Sequence, residues 1–141
     1  LPQGPILALD PGSKTIGVAS CGATRGLATP VETIQRTKFT ADAARIFQLY
    51  DERKAVGLVI GLPYNMDGTE GARAQSSRAL ARNLLGLRDI PILFQDERLS
   101  TFEATEALIS AGMRRDRRKE VIDAHAAANI LRSVLDRLEH L

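Results

Sequence analysis

Three short apolar runs constrain this chain more than any other feature: Ile6 to Leu9, Val56 to Ile60 and Ile90 to Phe94. Each is shorter than a typical globular helix. Each stops abruptly, at Asp10-Pro11-Gly12, at Gly61-Leu62-Pro63 and at Gln95-Asp96-Glu97-Arg98. Continuous hydrophobicity over so few residues marks strands covered on both faces. Thr15 to Cys21, small and β-branched, follows a Gly-Ser turn and predicts a hairpin with the first run. Leu27 to Ile34 predicts a third strand, and Pro30 places it at an edge or an irregular position. Elsewhere the period changes to that of a helix. Phe39, Ala43, Ile46, Phe47 and Tyr50 share one face, and Leu80, Ala81, Leu84 and Leu85 share another on a helix from about residue 70 to 87. Thr101 to Ala111 predicts a helix capped by Ser100 or Thr101 and stopped by Gly112. A last helix is expected from about Lys119 to Leu138. The fold class is therefore α/β: a mixed five-stranded sheet, antiparallel for its first three strands and parallel thereafter, flanked by helices. Ligands of such sheets gather beyond the carboxyl ends of the parallel strands.

With 141 residues and no repeat, linker or low-complexity tract, residues 1–141 are expected to form a single domain. No run of about 18 apolar residues exists, so no membrane partner is expected. Leu1 to Pro5 has neither a basic nor an apolar signal region, and Cys21 is the single cysteine; both point to a reducing cytoplasm. The net charge of +2 is only mildly basic, but Arg114, Arg115, Arg117, Arg118 and Lys119 are crowded around Asp116. With no Trp and few aromatics, stacking on bases is disfavoured, and a nucleic-acid partner would be held through its phosphates.

Three carboxylates occupy costly positions. Asp10 ends an apolar strand, although Asp-Pro-Gly is also good turn chemistry. Glu97 follows the last apolar strand, with Asp96 beside it as an alternative. Asp123 shares its helix face with Ala126, Ala127, Ile130 and Val134, the face expected on the sheet. A carboxylate there must be paired, hydrogen-bonded, bound to metal, or favoured by the start of its helix. If the two strand ends are neighbours and the last helix crosses them, the three converge. One or two divalent cations, Mg²⁺ or Mn²⁺, would relieve their repulsion and serve phosphodiester hydrolysis. His125 lies about 160° around the helix from Asp123 and His140 is in no ligand motif, so neither is expected to bind metal.

Gly12-Ser13-Lys14-Thr15 does not fit a phosphate loop, because Ser13 precedes Lys14; a strand–turn–strand whose backbone amides and Lys14 approach a phosphate is the softer expectation, with a plain hairpin turn as the alternative. Asn65, in the loop from Gly61 to Gly68, is placed to touch substrate or to order Asp67. The basic run Arg114 to Lys119, just before Asp123, suits a polyanion, while a solvated segment tied by Asp116 and Glu120 is the plainer alternative. Arg73, Arg78 and Arg82 read as a solvated helix face.

Leu9-Asp10-Pro11-Gly12 with Ile16-Gly17-Val18-Ala19, Ile60 to Pro63 with Asn65-Met66-Asp67-Gly68, Asp96 to Thr101, and Asp123 to Ala127 together resemble the YqgF family of pre-16S rRNA nucleases, also described as Holliday-junction-resolvase-like. The resemblance spans nearly the whole chain in order. It implies an RNase H-like fold, and Asp10, Glu97 and Asp123 as the acidic, metal-binding catalytic site, with Glu97 preferred over Asp96. It implies maturation of the 5′ end of 16S rRNA in the bacterial cytoplasm. Lys14, Asn65, Arg98, Arg114, Arg115, Arg117, Arg118 and Lys119 are the candidate substrate contacts, Lys14 and Thr15 standing where the family commonly has Arg.

The expected activity is a metal-dependent endonuclease on precursor RNA. A resolvase of four-way DNA junctions shares the site but needs a dimer to cut two strands symmetrically, and the sequence leaves monomer or dimer open. A non-catalytic RNA- or ribosome-binding factor would have no use for three converging carboxylates. An ATPase would need a second domain to enclose the adenosine.

Overall fold

The computed structural model describes residues 3–63, 67–96 and 115–139, with side chains of the last segment described for 124–138. The strands are β1 (Ile6–Pro11), β2 (Thr15–Ser20), β3 (Thr29–Gln35), β4 (Gly57–Leu62) and β5 (Ile92–Asp96). The helices are α1 (Phe39–Glu52), α2 (Ala72–Leu85) and α3 (Arg115–Glu139). The predicted helix over 101–111 lies outside the described residues.

The five strands form one mixed sheet in the order β3-β2-β1-β4-β5. β1 pairs antiparallel with β2, and β2 with β3, which is the expected meander. β4 then lies parallel to β1, and β5 parallel to β4. The apolar runs of β1 and β4 are continuous because both faces are covered: Ile6, Leu7, Ala8 and Leu9 are all 0 % exposed. On one face Leu7, Leu9, Ile16, Val18, Leu58 and Ile60 pack against Ala43, Ile46 and Leu49 of α1 and Leu80 and Leu84 of α2. On the other, Ile6, Ala8, Ala19 and Val59 meet Ala127, Ala128, Ile130, Leu131 and Val134 of α3. β3 is an edge strand, as Pro30 predicts, and the β2–β3 register shifts between Val18 and Ala19, beside it.

α3 begins four residues earlier than the apolar periodicity indicates. Arg115, Arg117, Arg118 and Lys119 are good helix formers without a breaker among them, so the basic run continues the helix toward its N-terminus.

Candidate active site

Asp10 is carried on β1 opposite Gly17 of β2. Strand alternation puts it with Ile6 and Ala8 on the α3 face. Only 7 % of the residue is exposed, and its Oδ1 is closed off from water. The β1–β2 turn behind it is tightly held. The Gly12 N–H donates to the Thr15 carbonyl at 2.7 Å. Arg36, one residue past β3, donates its backbone N–H to the Lys14 carbonyl at 2.8 Å and its Nη1 to the Gly12 carbonyl at 2.6 Å. A Cβ on Gly12 would lie 3.2 Å from the Thr15 carbonyl oxygen, so the close turn favours glycine there. Ser13 and Lys14 are exposed at its tip.

β1, β4 and β5 run parallel, so their carboxyl ends share one edge of the sheet. Leu9, Ile60 and Phe94 stand in one row across it. One residue further, the strands reach Asp10, Gly61 and Gln95. Gln95 follows Leu93 onto the α3 face, where Asp10 lies. Its Oε1 is buried and has no hydrogen-bond partner among the described residues. Asp96 follows Ile92 and Phe94 onto the opposite face, so alternation turns it away from Asp10. Glu97 is the next residue in the chain and lies outside the described residues, as do Asn65, Arg98 and Arg114. Asp67 is ordered by Thr69, whose Oγ1 and N–H donate to its Oδ1 at 2.6 Å and 3.0 Å and hold its carboxyl below the usual range.

Asp123 belongs to α3, with its side chain outside the described ones. The face it was expected to share is the packed one: Ala126, Ala127, Ile130 and Val134 are at most 1 % exposed, while His125 is exposed. α3 crosses β2, β3 and β1. Its Arg132, Leu135 and Leu138 border Gln3 and Thr24 to Ala28, at the edge where β1 begins. From Leu135 back to Asp123 the helix rises roughly 18 Å. From Ile6 to Asp10 a strand covers roughly 13 Å. The backbone of Asp123 thus runs toward the edge where β1 ends, and Arg115, Arg117, Arg118 and Lys119 extend in the same direction.

The described donors on this side are oxygens: the Asp10 carboxylate and the Gln95 carbonyl. Such a set fits a hard cation such as Mg²⁺ or Mn²⁺. Cys21 is buried near the opposite edge. Among the described residues there is no cluster of three His, Cys, Asp or Glu side chains, since two of the three expected acids fall outside the described side chains. Gln95 and Arg36 were not anticipated from the sequence. The signal for Gln95 was a polar residue at an inward position of a strand; for Arg36 there was none, because its role is a contact with a turn remote in sequence.

The family model described as RuvX, Holliday junction resolvase, matches residues 4–137. A relative from Bradyrhizobium sp. (strain ORS 278), named "Putative pre-16S rRNA nuclease", is 58 % identical over 99 % of this chain and 86 % of its own length. One from Phenylobacterium zucineum with the same name is 56 % identical over 99 % of this chain and 91 % of its own. In fold, the chain is similar to Thermus thermophilus RuvC in complex with a Holliday junction substrate, with a TM-score of 0.59 at 13 % identity over 96 % of both chains. The yeast mitochondrial Holliday junction resolvase Ydc2 gives 0.58 at 14 % identity, over 99 % of this chain and 82 % of that one. These likenesses establish the RNase H-type architecture of the resolvases for the sheet and helices described above. The chain belongs to the RuvX (YqgF) family, and with it to the nucleases, hydrolases of phosphodiester bonds.

Proposed function

We propose that this protein is a divalent-metal-dependent endonuclease that trims precursor 16S rRNA at its 5′ end in the bacterial cytoplasm. The observation that carries the chemistry is Asp10, a buried carboxylate on the central strand at the carboxyl edge of a parallel β1-β4-β5 array. The choice of RNA is supported by the name its bacterial relatives carry.

In this proposal Asp10, Glu97 and Asp123 hold the ion or ions. Leu93 and Gln95 share the face of Asp10, and alternation turns Asp96 to the other one; Glu97 is preferred to Asp96 because the family resemblance implies it. The cation supplies charge neutralisation at the scissile phosphate and makes water a stronger nucleophile. The protein supplies position. The clamped β1–β2 turn fixes Asp10, burial keeps bulk water from competing, and Lys14, Asn65, Arg98 and the run Arg114 to Lys119 are the proposed phosphate contacts.

The family description and the resolvase fold favour a second substrate, a four-way DNA junction cut by a dimer. One experiment separates the two. End-labelled pre-16S leader RNA and a four-way junction are each incubated with Mn²⁺, Mg²⁺ or EDTA, using wild type and Asp10→Asn. Metal-dependent RNA cleavage lost in the variant supports the proposal. Paired symmetric nicks in the junction, with RNA untouched and a dimer in sedimentation, transfer it to DNA. Binding of either substrate with no cleavage under any metal sinks it and leaves a binding factor.

A further inference from the structure

We infer that the cleft between the β1–β2 turn and the start of α2 is a subsite for a nucleic-acid backbone phosphate next to the bond that is cut, with Arg73 as its principal cation. This rests on the nuclease function above and adds a contact to it. The cleft encloses about 210 Å³ and is lined by Pro11, Gly12, Ser13, Ala72, Arg73 and Ser76. A water occupies roughly 30 Å³ of liquid, so the space holds a tetrahedral phosphate with some of its hydration. Pro11 is bonded to Asp10, so the cleft opens one residue from the proposed catalytic acid. Alternation sends Asp10 to the α3 face, whereas the cleft lies on the α2 side of the same strand end. A strand laid over this edge would meet the acid with one phosphate and the cleft with a neighbouring one.

Among the residues that line the cleft the charged side chain is Arg73. No carboxylate lines it among the described residues. Three other arginines on this side of the sheet are committed: Arg78 to Glu70 at 2.6 Å, Arg45 to Glu32 at 2.5 Å and Arg88 to Asp51 at 3.0 Å. Arg73 is exposed and enters no ion pair or hydrogen bond among the described residues. Arg73 and Ser76 are three residues apart on α2, hence on one side of it. Outside the lining, Arg36 donates to the carbonyl of Gly12, which forms part of the opposite wall, and Lys14 is exposed at the tip of the turn. A guanidinium with two hydroxyls, Ser13 and Ser76, can donate to the oxygens of a phosphodiester, a contact that positions without reading sequence.

The test uses the full chain in the Asp10→Asn background, so that binding is read without turnover. Dissociation constants for a single-stranded RNA and for a four-way junction are measured against KCl concentration. Each phosphate contact adds roughly 0.7–0.9 to the slope of log affinity on log salt. Arg73→Gln should flatten the slope by about that amount on several unrelated sequences, and Ser76→Asp should weaken binding further. In the active protein, Arg73→Gln should raise KM and leave kcat. Arg82→Gln, exposed on the same helix beyond the cleft, should change nothing. All three positions are on the helix surface, so folding is spared. Unchanged slope and KM in both Arg73→Gln and Ser76→Asp, alongside normal cleavage by the otherwise wild-type chain, overturn the subsite alone. Absence of cleavage by that chain defeats the nuclease function, and the salt slopes still decide whether the cleft holds a phosphate.

Discussion

Replacing Ala127 with leucine tests whether α3 carries a catalytic group. Ala127 is 0 % exposed and lies in the cluster where α3 meets Ala8 and Val59 of the central strands. With Ala124, Ala126 and Ala128 it forms a stretch of small side chains that sets how closely helix and sheet approach. Leucine adds three carbons where there is no room for them. Overpacking of this kind costs typically about 1–3 kcal/mol, through shifted rotamers and backbone. For a domain of 141 residues, an unfolding entropy of roughly 2.1 cal/mol/K per residue makes each kcal/mol about 3 °C, so Tm should fall by about 3–10 °C. The helix must also move off the sheet, one turn from Asp123. A misplacement on the order of 1 Å at a reacting centre costs roughly 100-fold. Cleavage measured well below the variant's Tm should therefore fall by about two orders of magnitude, and affinity for Mn²⁺ should weaken with it. His125→Leu, on the exposed side of the same helix, should alter neither. A variant that loses stability as expected yet cleaves at the wild-type rate would refute the placement of Asp123 in the site.

Gln95→Leu removes a buried carbonyl that lacks a partner among the described residues, and in EDTA it should raise the unfolding free energy by about 1–2 kcal/mol in urea titrations. With Mn²⁺ present that gain should shrink, since the oxygen would then have an ion to face; an equal gain in both buffers removes Gln95 from the metal's surroundings. Ser77, 0 % exposed on α2, has no acceptor for its hydroxyl among the described residues, so Ser77→Ala should stabilise by about 1 kcal/mol; destabilisation would reveal a partner. Hydrogen bonds from Arg45, helped by its charge, hold the Glu32 carboxyl below its ordinary value of 4.5. A depressed folded pKa means that the stabilisation is complete above the ordinary value and is lost as pH falls toward the folded one. Glu32→Gln should therefore flatten the stability profile only on the acid side, and an NMR titration of the Glu32 carboxyl that shows no depression would contradict the cause.

Much of the fold was legible because its strongest signals are local. Ile6 to Leu9 and Val56 to Ile60 announce strands covered on both faces, and Pro30 announces an edge. The ends were less legible. β4 runs on to Leu62 and β5 to Asp96, because pairing to a parallel neighbour continues past the unbroken apolar runs. The start of α3 was missed because Arg115 to Lys119 has helix propensity but no apolar stripe to reveal it. In the candidate site, the buried position of Asp10 was legible as a charge closing an apolar run, and the buried face of Asp123's helix was legible from its alanines. The grip of Arg36 on the Gly12 carbonyl and the exposure of Arg73 without an ion pair among the described residues were not, since both depend on which groups the fold brings together; Glu70, for instance, pairs with Arg78.

The sheet order has a dynamic consequence. β1 is hydrogen-bonded on both sides, and its amides should exchange with solvent only when the whole structure opens. β5, which precedes Glu97 in the chain, is bonded on one side only among the described residues and can fray without disturbing β1. The two strands that deliver the proposed acids thus sit at opposite ends of the protein's range of local stability. An ion shared between them would act as a latch, slowing exchange along β5 while leaving β1 unchanged.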